Sequence, residues 1–154
     1  MANLDGANPN LTRSDQQIRR KDALDSLLVI GDWSGISATD SAETGIALDA
    51  ERLNAYRAVV HHSANAASDG GTTNYWAITV TGADNSSFTN EVTLATYNTY
   101  SSSGAVKEYL ALSGEMVNSL RTAAGEDEVI YVRTVATKNG TPSDLTGGCY
   151  LSCD

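Results

Sequence analysis

Residues 128–138 read Glu-Val-Ile-Tyr-Val-Arg-Thr-Val-Ala-Thr-Lys, and Asn139-Gly140 follows at once. This stretch decides the fold class. In an extended chain, successive side chains point to opposite faces. Val129, Tyr131 and Val135 therefore share one face, and Ile130, Val132 and Ala136 share the other. Both faces are apolar, which predicts a strand inside a sheet rather than at its edge. Asn-Gly tolerates positive φ at both positions and is the strongest short-range hairpin signal. It predicts a tight turn leading to a closing strand at Gly148–Cys153. Pro142 has no N–H for a ladder, so it should lie at an edge or in a bulge.

The rest of the chain reads the same way. Tyr75 to Thr81 alternates, with Trp76, Ile78 and Val80 on the inward face and Tyr75, Ala77, Thr79 and Thr81 on the other. Leu27-Leu-Val-Ile30 is a short apolar run that Gly31 should end, and Ala58-Val-Val-His61 is another. A Ser/Asn/Asp/Gly stretch through Gly71 follows the second run. Gly82–Asn90 reads as a loop, and Glu91–Tyr97 as a strand with Val92 and Leu94 inward. Ser101–Gly104 separates it from a strand at Val106–Leu112. Asp49–Tyr56, with Asp49 as cap, and Ser113–Leu120 read as one or two helical turns bridging strands. Both are too short to stand as helices by themselves. No helix is long enough to cross over between parallel strands, so antiparallel pairing follows. The prediction is an all-β protein: an antiparallel β-sandwich, jelly-roll-like, of seven or eight strands with short helical segments.

Ahead of this body lies a different kind of sequence. Met1–Thr12 has no periodicity, and Asn, Gly and Pro punctuate it, as in an extended arm. Ser14 with Gln17 forms a capping-box pattern. Asp15 in the first turn and Arg20 and Lys21 in the last match the helix dipole. A short helix is predicted over Asp15–Lys21, extendable to Leu24. The chain divides into an N-terminal arm with a short helix (residues 1–25) and a β-sandwich domain (residues 26–154).

The 154 residues carry a formal net charge of -9. The charge is uneven. Residues 1–21 hold Arg13, Arg19, Arg20 and Lys21 against Asp5 and Asp15, a balance of +2, and residues 22–154 a balance of -11. So acidic a body argues against nucleic acid as a partner, because phosphate binding needs a basic surface. No window approaches the roughly 20 apolar residues of a membrane span. The opening Met1-Ala-Asn-Leu-Asp-Gly has neither the basic nor the apolar region of a secretory leader, which predicts synthesis in a cytoplasm. Three Asn-x-Ser/Thr triplets, at Asn10, Asn85 and Asn139, are then chance matches.

Chemistry-bearing motifs are sparse. Cys149 and Cys153 would lie on one face of a strand, about 13 Å apart at ~3.3 Å per residue, too far for a disulfide. They read as free thiols. His61 and His62 point to opposite faces of a strand and cannot chelate one metal: one should be exposed and one packed. Gly31-Asp-Trp-Ser34-Gly35 is one position out of the Gly-x-Ser-x-Gly nucleophile pattern, and reads as a polar loop anchored by Trp33. Asp69-Gly-Gly71 and Asp84-Asn-Ser-Ser87 lack the spaced carboxylates of a calcium loop. Glu126-Asp-Glu128 reads as a solvated strand entry. No metal site, cofactor or catalytic residue is predicted. The basic cluster Arg13, Arg19, Arg20 and Lys21 is the candidate partner-binding feature, since it can dock onto an acidic neighbour.

The order of segments carries a resemblance. It consists of a polar arm, then RSDQQIRRKDALDSLLVIGDW from Arg13, ALDAERLNAYRAVV from Ala47, LSGEMVNSL from Leu112 and VIYVRTVATKNGTPSDLTGGCYL from Val129. It is similar to small structural proteins of tailed bacteriophages, especially head decoration (cement) proteins. The resemblance implies a non-enzymatic module on the capsid surface of the virion, bound to the major capsid protein. It also implies a homo-oligomer, such as a trimer, at shell junctions. The other roles open to such a chain are a tail, connector or head-fibre component, or a carbohydrate- or receptor-binding β-sandwich. For the last, Tyr75, Tyr97, Tyr100 and Tyr109 are the expected aromatic platform.

Overall fold

The computed structural model describes residues 28–39, 45–49, 53, 55–63, 72–99, 105–124 and 129–153. The arm and helix expected over residues 1–25, with Arg13, Arg19, Arg20 and Lys21, lie outside them. So does most of the helical turn expected after Asp49. Among the described residues there are eight strands: β1 (Val29–Ile36), β2 (Ile46–Asp49), β3 (Tyr56–His62), β4 (Tyr75–Ala83), β5 (Val92–Asn98), β6 (Val106–Ala111), β7 (Val129–Asn139) and β8 (Leu145–Cys153). A helix, α1 (Gly114–Ala124), stands between β6 and β7.

All strand pairs are antiparallel, in two four-stranded sheets ordered β1-β8-β3-β6 and β2-β7-β4-β5. The order has a simple logic. First pairs with eighth, second with seventh, third with sixth and fourth with fifth. The chain is thus one long ribbon doubled back at the β4–β5 turn. Successive segments of the ribbon alternate between the two sheets.

The core forms where alternation predicts it. Trp76, Ile78 and Val80 of β4 are fully buried, as are Ile130, Val132 and Ala136 of β7. They join Trp33, Val60 and Leu151 of the other sheet in one apolar cluster. β7 has β2 on one side and β4 on the other, so it is an interior strand, and its second face is half-buried.

Several expectations are corrected. Gly31 does not end a strand: β1 runs on through Trp33, which is 1% exposed. The glycine serves a close approach instead. A Cβ there would collide with Thr134 Oγ1 of β7, which donates to the Ile30 carbonyl at 2.6 Å. The short edge strand β2 went unpredicted. Asn139-Gly140 makes no tight hairpin, because β7 and β8 belong to different sheets. Gly140 does take a positive φ of 66°, but the turn opens into a corner. There Thr141 N–H donates to Asn74 Oδ1 at 2.8 Å and Trp76 Nε1 donates to the Ser143 carbonyl at 2.8 Å. Pro142 sits in this corner, outside any ladder.

Two further corrections concern packing. The Ser113–Leu120 segment is the start of an 11-residue helix rather than a passing turn. The Ser113 carbonyl accepts the Val117 N–H at 2.9 Å, and Val117 and Leu120 are buried. Leu120 reaches the gap left by Gly82 of β4. Tertiary burial holds a helix that its length alone would not. In β5, Val80 faces Ala95 while Thr81 faces Thr93, so Leu94 is an extra residue in the ladder. The bulge shifts the alternation by one, and Tyr97 turns inward with Leu94.

Candidate functional site

The outer face of the β1-β8-β3-β6 sheet gathers a row of polar side chains. Ala58, Val60 and His62 of β3 face inward, so Val59 and His61 face outward. Asp32 lies opposite Gly148, Gly148 opposite His61, and His61 opposite Lys107. This row crosses all four strands. In the next row, Val29 lies opposite Tyr150, Tyr150 opposite Val59, and Val59 opposite Tyr109. Val59 is fully buried between the two tyrosines, whereas Tyr109 is 41% exposed.

Gly148 is the low point of the face. A Cβ there would stand 2.8 Å from the Gly31 carbonyl oxygen and 3.0 Å from His61 Nε2. Around it a shallow, mostly apolar cavity of about 150 Å³ is lined by Val29, Gly31 and Cys149 together with Asp32, His61, Gly148 and Tyr150. The His61 and Tyr150 rings are 6.1 Å apart and tilted by 51°. Burial pushes the His61 pKa down, assisted by Lys107 and His62 and opposed by Asp32. Near neutral pH the imidazole is thus predominantly uncharged and can both donate and accept. Lys107 lies at the exposed rim. Hydrogen bonds to Tyr150 and then Tyr109 raise its pKa, and its Nζ is 5.5 Å from the Tyr109 ring centre. The row therefore sets a carboxylate, an imidazole and an ammonium beside the exposed Tyr109 ring, while Tyr150 is buried.

His62 has a different task. It is 3% exposed and faces the core. Its Nδ1 is 2.9 Å from the Ser63 carbonyl, so that nitrogen carries the proton, and Nε2 accepts from Tyr97 O–H at 3.1 Å. The bond links β3 of one sheet to β5 of the other. Tyr97→Phe should leave Nε2 buried without its donor and cost about 1–3 kcal/mol, read as a lower urea midpoint at unchanged slope.

The expected aromatic platform does not form. Tyr97 faces the core, Tyr75 is on the other sheet from Tyr109, and Tyr100 lies outside the described residues. The tyrosine that accompanies Tyr109 is Tyr150, which no linear pattern marked. Ser34 lies within β1, not on a strand-to-helix turn. Asn85 Oδ1 accepts from the Ser87 and Thr89 N–H groups, so that side chain pins its own turn. Among the described residues, no group of three or more His, Cys, Asp or Glu side chains could hold a metal. Residues 69–71 and 126–128 lie outside them.

Cys149 is a free thiol pointing into the core. Burial raises its pKa far above the ordinary 9.0. The unfolded chain therefore releases this proton as pH passes 9.0, while the folded chain keeps it. Its contribution is intact below that pH and is lost above it. Denaturation midpoints measured below pH 9.0 and about one unit above it should fall more for the wild type than for Cys149→Ala.

Comparison with known proteins finds no family model, curated sequence or solved structure that matches the chain. Among the described residues, no helix is long and apolar enough to cross a membrane.

Proposed function

We propose that this chain is a virion structural protein of tailed bacteriophages, a decoration or cement protein that binds the assembled head. The observation that carries this reading is the strand order. Two antiparallel sheets ordered 1-8-3-6 and 2-7-4-5 support the reading of a jelly-roll β-sandwich, an architecture used by viral capsid domains among others. The charge layout supports it. Residues 22–154 carry -11 and residues 1–21 carry +2, so the body disfavours nucleic acid while Arg13, Arg19, Arg20 and Lys21 favour an acidic protein surface. The partner in this reading is the major capsid protein, and the location is the capsid surface. The role is structural, and copies cluster symmetrically, as trimers for example, at shell junctions.

Deletion of residues 1–21 tests the proposal. The truncated protein should keep its β-rich circular dichroism and cooperative unfolding, yet fail to occupy purified capsids. Full occupancy by the truncated chain would refute the attachment role.

A further inference from the structure

We propose that Asn139 is a modification site gated by folding: its side-chain amide is lost by reaction with the Gly140 nitrogen when the chain is unfolded, and is protected in the native corner. The inference stands apart from capsid attachment. Asn139-Gly140 is the only Asn-Gly pair in the 154 residues.

The chemistry belongs to the pair itself. The Gly140 nitrogen attacks Asn139 Cγ and forms a new C–N bond. Its proton passes through solvent to the side-chain nitrogen, which leaves as ammonia. Water then opens the five-membered imide at either carbonyl. The product is aspartate or its β-linked isomer, in which the main chain runs through the former side chain. One water is consumed and one ammonia released. Glycine favours the step, because no Cβ crowds the attacking nitrogen and the backbone can turn freely.

The native structure opposes each movement the reaction needs. Asn139 is the last residue of β7 and is still paired with Tyr75 of β4. Ring closure requires Cγ to swing over the Gly140 nitrogen. The Asn139 carboxamide is turned the other way, back along the strand, where Nδ2 donates to the Thr137 carbonyl at 3.3 Å. Gly140 has a φ of 66° and packs against the residues ahead of β4. A Cβ there would press on Asn74 Oδ1 and lie 2.6 Å from the Thr73 carbonyl oxygen. The next residue is tied as well, since Thr141 N–H donates to Asn74 Oδ1 at 2.8 Å. Gly140 is exposed, so water reaches the pair. Geometry, not access, withholds the reaction.

A chain modified while unfolded cannot rebuild this corner. The new carboxylate loses the donor to the Thr137 carbonyl, and the β-linked isomer adds a backbone atom just ahead of Thr141. Asn139 therefore keeps a one-way record of time spent unfolded.

The test incubates the full 154-residue chain in mildly alkaline buffer, with and without guanidinium. Peptide mapping by mass spectrometry follows Asn139 and separates the two products. Conversion should be about tenfold or more faster in the denatured chain, because only the opened fraction of the native protein reacts. Asn74→Ala frees Gly140 and Thr141 and should raise the native rate about threefold or more while leaving the denatured rate unchanged. Asn139→Gln should remove the signal at this position. The wild-type ratio decides the proposal even if Asn74→Ala unfolds. Equal rates in native and denatured wild type would overturn it. So would an Asn139 that stays intact in denaturant while other asparagines react. A folded Asn74→Ala with an unchanged native rate would refute the gating by the corner.

Discussion

Replacing Trp76 with alanine is expected to destabilise the protein by about 3–5 kcal/mol, the cost of emptying a large aromatic site in a packed core. That is a large part of the total stability of an ordinary domain, roughly 5–15 kcal/mol. The residue is fully buried in β4, in the middle of the shared apolar cluster. Its indole also does a job that no aliphatic side chain can do. Nε1 donates to the Ser143 carbonyl in the corner that carries the chain from one sheet to the other. Trp76→Phe separates the two effects. It keeps most of the apolar area and loses the hydrogen bond, so it should cost about 1–3 kcal/mol. Guanidinium unfolding followed by far-ultraviolet circular dichroism measures both variants. A Trp76→Ala midpoint close to wild type would mean that the indole is not the keystone of the cluster.

Gly31→Ala is expected to be nearly as damaging, although it adds only a methyl group. The new Cβ would press on Thr134 Oγ1 and lie 2.9 Å from Trp33 Cζ2. Over-packing of this kind costs about 1–3 kcal/mol. Displacing Thr134 also breaks its hydrogen bond to the Ile30 carbonyl, which is buried between the sheets, for about 1–3 kcal/mol more. The diagnostic is the coupling. Thr134→Ala alone loses the bond, whereas Gly31→Ala with Thr134→Ala removes the worst clash as well. The double variant should be more stable than the sum of the single effects by about 1 kcal/mol or more. Strict additivity would show that the glycine is there for another reason.

These two positions show what could and could not be read from the chain. Tyr75–Thr81 and Val129–Lys138 were legible because simple alternation persists and each strand buries one face fully. Gly31 was misread because a glycine that ends a strand and a glycine that admits a neighbouring side chain look alike in sequence. The distinction lies in Thr134, more than a hundred residues away. Tyr97 was misread because the bulge at Leu94 reverses the face of every later residue in β5, and no local residue type announces it. The site around Gly148 was hidden for a related reason. Asp32, His61 and Lys107 become neighbours only through pairings of β1 with β8, β8 with β3 and β3 with β6. Each pairing depends on long-range register that one sequence does not display. The opposition of His61 and His62, by contrast, followed directly from strand geometry, and they do face solvent and core.

The doubled-back ribbon also dictates an order of assembly. β4 and β5 are separated by a short turn and can pair as soon as both exist. β8 is the last of the eight strands to be synthesised, yet it lies between β1 and β3 in the interior of its sheet. Gly35 N–H donates to Thr146 Oγ1 across 111 residues of sequence. Contacts of such long reach slow folding. On the ribosome, at about 5–20 residues per second, β1 must wait several seconds with its pairing edge open until β8 emerges to close it. The nascent chain is therefore open to misassociation along β1 until β8 has emerged.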